Sequence, residues 1–281
     1  MKSQWLIRFR PVALLSLLFL GACEKQLDLD PPFTQDAENY FNSPEDYELA
    51  LVGAYDLTQA SFLNLWIGEI ASDNSIAGGE SVTDTEGLHE IDNMNHGGVN
   101  NELRNIFRWY YAGVSRCNYI MSNEAKIDFD GKDQILAETR FLRAYYYFQL
   151  VKYFGSVPLI IDKRLGADEV TEIERSPVEE VYAQMESDLR FAEENLPWNN
   201  PIKGRVDKGT ALSLLGKALL YQDKTGAAAL VLDRVITEGP YDLVNDYSTL
   251  FLASNEDNQE VVFSVEYSGL EGGGYGSLIC L

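Results

Sequence analysis

The stretch Ala137–Pro158, AETRFLRAYYYFQLVKYFGSVP, limits this chain more than any other. Leu142, Tyr146, Leu150 and Phe154 recur every four residues, and Phe141, Tyr145 and Phe148 form a second apolar row beside them. Charge is confined to Glu138, Arg140, Arg143 and Lys152. A helix that is apolar on most sides is stable only where neighbours cover most of its sides. The spacing therefore predicts the central helix of an all-α domain. Gly155 suits the left-handed residue that closes a helix, and Pro158 prevents its resumption.

The rest of the chain supplies the neighbours. Ser43-Pro44-Glu45 reads as a helix start, with Ser at the N-cap, Pro at the first helical position and acids in the first turn. That helix is predicted to run to about Gln59, with Leu49, Val52 and Leu57 on its apolar side. Asn101–Met121 carries Leu103, Ile106, Phe107, Tyr110, Val114 and Tyr119 at helical spacing. Ser176-Pro177 repeats the Ser-Pro start, for a helix reaching Leu196-Pro197 whose apolar side is Val178, Val181, Met185, Leu189 and Ala192. Residues 207–240 fit a tetratricopeptide unit, with Leu212, Leu215, Gly216, Leu219, Ala228, Leu232, Val235 and Pro240 on its packing positions. A generic helical hairpin satisfies the same pattern. The fold class is all-α: TPR-like helical hairpins with long irregular loops.

Between the first two long helices, Ser72–Val99 is rich in Gly, Asn, Asp, Ser and Thr and has no helical period. It reads as one long loop, and long loops in compact domains are functional or disordered. His89 and His96 lie in it seven apart, with no Cys between them, which is not a metal-ligand spacing, and they read as solvent-facing. Cys117 falls in a helical pattern and reads as a small core residue.

The first 22 residues stand apart. Lys2, Arg8 and Arg10 precede a short apolar run, Val12–Leu20, too short to span a membrane. Leu20-Gly21-Ala22-Cys23 matches a bacterial lipobox, so residues 1–22 read as a lipoprotein signal peptide and Cys23 as the lipidated residue. Such a lipid would anchor the chain to a membrane rather than through it. Residues 23–42, with Pro31-Pro32, read as a polar tether.

The formal net charge is −22. It argues against nucleic acid, whose phosphates call for basic surfaces, and against binding anionic lipid by charge. No Gly-x-Ser-x-Gly elbow, Gly-Lys-Thr phosphate loop or calcium-type Asp ladder occurs. A glycosidase would need two carboxylates placed across a sugar, and among 44 acids any pair could be nominated. Nothing points to catalysis, and no cofactor is implied.

Several segments carry a resemblance. Ala137-Glu138, Phe141-Leu142-Arg143-Ala144-Tyr145-Tyr146-Tyr147 and Phe154-Gly155-Ser156-Val157-Pro158-Leu159 resemble the hallmark of the SusD/RagB family, outer-membrane lipoproteins that capture glycans or other nutrients beside a TonB-dependent transporter. Ala71-Ser72-Asp73-Asn74, Ile91-Asp92-Asn93-Met94-Asn95, Asp188-Leu189 with Leu196-Pro197, and Asn258–Ser264 resemble segments at matching places. The likeness runs from Cys23 to about Tyr267. It implies a SusD-like helical domain over residues 43–267 and a Gly-rich truncated end over 268–281, family members being nearly twice as long. It also implies a non-catalytic, surface-exposed lipoprotein that passes a glycan or similar nutrient to a SusC-like transporter. Asp73, Asn74, Asp92, Asn93 and Asn95 are the ligand contacts the resemblance points to; as caps and turn formers the same residues would only shape the loop. A TPR-type scaffold lipoprotein that binds proteins, and a surface glycan hydrolase, are the rival readings.

Overall fold

The computed structural model describes residues 40–267, except 82, 162, 164–168 and 170–172. The expected signal peptide, Cys23, nearly all of the expected tether and the 268–281 end lie outside the described residues. Every described helix belongs to one compact unit, which begins at Phe41.

Helix α1, Pro44–Asp56, opens on a capping box: Ser43 accepts from the Asp46 N–H, and the Asp46 carboxylate accepts from the Ser43 N–H at 2.9 Å. A short 3-10 turn, Leu57–Ala60, leads into α2, Ser61–Ile70. Helix α3, Glu86–Asp92, is a two-turn segment within the stretch expected to be one continuous loop. Helix α4 spans Asn101–Met121, α5 Lys132–Phe154, α6 Val178–Asn195, α7 Lys208–Leu220 and α8 Thr225–Glu238. Among the described residues there is no strand, only an isolated bridge between Val157 and Ser176.

From α4 onward each helix packs on the next, and α1 covers both α4 and α5. Helix α5 is the centre, as its composition requires. Leu142, Ala144, Tyr146, Phe148 and Leu150 are all buried, and the helix ends at Gly155, whose φ is +64°. It starts five residues before Ala137, on Gly131, because Leu136 and Ala137 already belong to its buried side.

Close approach between helices depends on missing side chains. A Cβ on Gly113 of α4 would lie 2.5 Å from the Tyr146 ring, and one on Gly216 of α7 would lie 2.5 Å from Leu232 of α8. Ala228 is fully buried in the same hairpin. The small residues picked out by the repeat pattern are therefore where the α7–α8 pair closes.

Two charged side chains of α5 fasten the layers. Arg143 is buried and donates bidentately to Asp188 of α6, through Nε to Oδ2 at 2.8 Å and Nη2 to Oδ1 at 2.7 Å. It also donates to Asn118 Oδ1 of α4 at 3.1 Å and to the Ile161 carbonyl at 2.7 Å. Burial alone would lower its affinity for the proton; the Asp188 carboxylate outweighs that, so its pKa stands above the ordinary arginine value. One turn away, Glu138 accepts from Tyr55 of α1 at 2.8 Å, from Asn200 at 3.2 Å and from Arg205 at 3.0 Å. Arg205 also pairs with Glu48 of α1.

Three expectations need correction. Helix α1 ends at Asp56, and Leu49 and Val52 are 63% and 50% exposed; its buried side is Tyr47, Leu51 and Ala54, the four- and three-residue steps that face α4 and α5. Leu57, the third residue expected there, is buried in the following turn. The Ser-Pro start of α6 lies one residue later than expected: Pro177 occupies the cap, and the Ser176 N–H is bonded to the Val157 carbonyl at 3.0 Å.

Candidate ligand-binding face

Residues 71–100 leave α2, form α3 and enter α4, and the bonds that shape them are mostly local. Ser72 Oγ donates to the Glu69 carbonyl at 3.0 Å and accepts from the Asn74 N–H at 3.3 Å, which makes Ser72–Asn74 a tight exit from α2. Asp73 and Asn74 are both exposed on that turn. Asp92, the last residue of α3, accepts from the Ala77 N–H at 3.0 Å and ties the outgoing loop to the helix. Asn93 donates through Nδ2 to the His89 carbonyl at 2.7 Å and so caps α3. Asn95 is exposed; its N–H bonds the Glu90 carbonyl at 3.0 Å and leaves its side chain turned to solvent.

The five residues thus divide by role. Asp92 and Asn93 spend their side chains on loop shape, whereas Asp73, Asn74 and Asn95 keep theirs available. The two segments meet at one cleft of about 840 Å³ only through Ala71, Ile91 and Met94, with His96 just beyond; none of Asp73, Asn74, Asp92, Asn93 and Asn95 is among its lining residues. Tyr153, Phe154 and Phe107 bring aromatic rings to its wall, and Arg104 and Arg175 bring cations. His89 departs from the solvent-facing reading: its Nε2 is buried without a hydrogen-bond partner among the described residues. Among the described residues no group of His, Cys, Asp and Glu has metal-site geometry. Cys117 is a fully buried free thiol, and burial pushes its pKa well above the ordinary value, as for an inert core residue.

The residue that organises this face was not among those singled out. Asn100 is buried. Its Oδ1 caps α4 by accepting from the N–H groups of Glu102 and Leu103 at 3.0 and 3.1 Å. Its Nδ2 donates to the Gly87 carbonyl at 2.9 Å and to Glu90 at 2.7 Å, which clamps α3 to the start of α4. A signal was present: Asn is a favoured N-cap, and Asn100-Asn101-Glu102 immediately precedes the periodic run.

The family model for starch-binding proteins that associate with the outer membrane matches residues 25–220. The chain belongs to the SusD-like family. A SusD-like protein of Formosa agariphila is 26% identical over 280 residues, which cover 96% of this chain and 55% of the relative. The starch-binding protein SusD of Bacteroides thetaiotaomicron is 30% identical over 165 residues, covering 51% of this chain and 28% of that protein. Among solved structures, a laminarin-binding SusD-like protein matches with a TM-score of 0.74 at 32% identity, over 83% of this chain and 53% of the other. The likeness of fold extends to surface glycan-binding protein A of Bacteroides thetaiotaomicron, solved with laminarihexaose, at a TM-score of 0.68 and 23% identity. This SusD-like chain spans about half the length of the curated relatives it matches.

Proposed function

We propose that this SusD-like chain is a non-catalytic, surface-exposed lipoprotein of the outer membrane, anchored through Cys23, that binds glycans or similar nutrients and passes them to a SusC-like TonB-dependent transporter. The observation that carries the reading is one open cleft bordered by aromatic rings, which Ala71 of the first segment and Ile91 and Met94 of the second help to line. Sugar recognition combines flat rings, which cover the apolar faces of the pyranose, with amide and carboxylate groups that bond its hydroxyls. Asp73, Asn74 and Asn95, exposed close in sequence to the lining residues Ala71, Met94 and His96 rather than on the lining itself, would supply hydrogen bonds, and Asp92 and Asn93 would hold the loop that presents them. No covalent step is required. The names of the relatives, starch-binding and laminarin-binding, support binding as the activity. No helix among the described residues is long and apolar enough to cross a membrane, and attachment is assigned to the lipid.

A panel of neutral and charged oligosaccharides tests the reading. We expect at least one to bind with no release of reducing ends; affinity for none would overturn it. Cys23→Ala should move the chain from the membrane fraction to the soluble periplasm, and a variant that still sediments with the outer membrane would remove the anchor.

A second reading has its own support. Leu230 and Ile236 of α8 are 73% and 76% exposed, on the outer side of the last hairpin. That surface fits a TPR-type scaffold lipoprotein holding another protein. Retention of a protein partner, abolished by Ile236→Asp, without affinity for any glycan would favour it.

A further inference from the structure

Two clefts open beside α4 and share Phe107, Pro158 and Ile173. The larger is the cleft of about 840 Å³ bordered by Met94 and His96, a volume within the range of small-ligand sites. Its charged groups are Arg104 and Arg175, and the adjoining cleft of about 470 Å³ adds Arg108. Among the described residues neither cleft is lined by a single Asp or Glu. The chain carries 44 acids against 22 Lys and Arg, so its clefts should show the opposite balance.

These three arginines stand apart from those that fasten the helices. Arg116, Arg143, Arg205 and Arg234 each pair with a carboxylate. Arg104 donates to the Asn101 amide oxygen at 2.6 Å, a neutral acceptor. Arg104, Arg108 and Arg175 make no ion pair with any described residue, and all three are exposed. Lys163, at the edge of the smaller cleft, is paired with Glu169. A guanidinium presents a planar fork that matches a carboxylate or a sulfate oxygen pair. A chain of net charge −22 repels anions at long range. Holding one therefore requires a local reversal of sign, and these clefts have it. The rings of Phe107, Tyr153 and Phe154 beside the cations supply apolar surface for the sugar itself.

We propose that the cleft between α4, the 91–100 segment and the end of α5 takes an acidic oligosaccharide, its carboxylate or sulfate groups held by Arg104 and Arg175. The inference rests on the glycan-binding reading and names the class of glycan.

The test is calorimetric titration of the whole chain, purified in detergent, with three probes: an oligogalacturonate, a sulfated carrageenan oligosaccharide and neutral laminarihexaose. At least one anionic probe should bind about tenfold or more tightly than the neutral one, about 1.4 kcal/mol, and lose affinity as salt is raised. Its identity distinguishes carboxylate from sulfate. Arg104→Gln and Arg175→Gln should each weaken that probe about tenfold without changing the melt, since both side chains are exposed. Laminarihexaose binding as tightly as either acidic probe, indifferent to both substitutions, would overturn the acidic class and leave glycan binding intact. Failure of all three probes would overturn both.

Discussion

Hydrogen bonds in the helical frame and in the 71–100 face reach over different distances along the chain. In the frame, Tyr146 of α5 donates to the Ala54 carbonyl, 92 residues away, at 2.5 Å, and Tyr55 reaches Glu138 across 83 residues. In the face, Asp92 reaches back 15 residues to Ala77, Asn100 reaches 13 to Gly87, and Asn93 only 4 to His89. Long-range bonds between buried groups make the position of each helix depend on several others at once. Local bonds shape a loop without committing the rest of the molecule. A face built that way can change its exposed residues while the frame persists, which is how one scaffold serves different ligands.

The largest break in this contrast should come at Arg143. Arg143→Met leaves Asp188 buried without its cation and removes the bonds to Asn118 and the Ile161 carbonyl. Stability should fall by roughly 3–5 kcal/mol in denaturant unfolding, and pairing the change with Asp188→Leu should restore part of it. A loss below about 1 kcal/mol would show that the buried pair does not fasten α5 to α6.

Alkaline pH attacks the frame through its tyrosines. Burial pushes the Tyr153 hydroxyl up to about 12, and burial raises Tyr110, Tyr145, Tyr146 and Tyr147 as well. The unfolded chain ionises its tyrosines near pH 10. Above that pH the folded state holds more protons than the unfolded one, so stability present at neutral pH is lost from about pH 10 upward. Tyrosinate absorbance and helical circular dichroism should therefore change together. Ionisation of the buried tyrosines with the helices intact would contradict their place in the core.

Asn100→Ala sets the smaller scale of the face. It removes the α4 cap and the clamp on α3 at a cost of about 1–2 kcal/mol. The effect should be local: hydrogen exchange should speed up over residues 86–103 while the α5 amides hold their protection. Equal acceleration in α5 would mean that face and frame unfold as one unit.

The frame was legible in the sequence because its signals are periodic. The double apolar row of α5, the span of α4 and the Gly216–Ala228 hairpin are read from spacing alone and recur in the structure. What periodicity does not give is which side of a moderately apolar helix faces inward. Helix α1 carries Leu49 and Val52 on one side and Tyr47, Leu51 and Ala54 on the other, and the second set is the one that meets α4 and α5. Charged residues within α5 were noted only as exceptions, although Glu138 and Arg143 join the layers; their partners lie 45 or more residues away at Asp188, Arg205 and Tyr55. In the face, segments 71–74 and 91–95 were picked out by family resemblance. The sorting of Asp92 and Asn93 into loop bonds, with Asp73, Asn74 and Asn95 left exposed, depends on backbone turns that carry no period. Helix α3 escaped for a related reason: seven residues are too few to show helical spacing beside so many Gly and Asn.

The central claim is that the frame holds and the face binds. It is tested most directly by titrating the tightest-binding oligosaccharide against the chain and against its Asp73→Ala/Asn74→Ala/Asn95→Ala variant, with a thermal melt of each. The account predicts affinity lower by about tenfold or more, about 1.4 kcal/mol, and a melt unchanged within about 0.5 kcal/mol, as for exposed residues away from caps and core. Undiminished affinity in the triple variant would contradict the account and move the ligand site off this face.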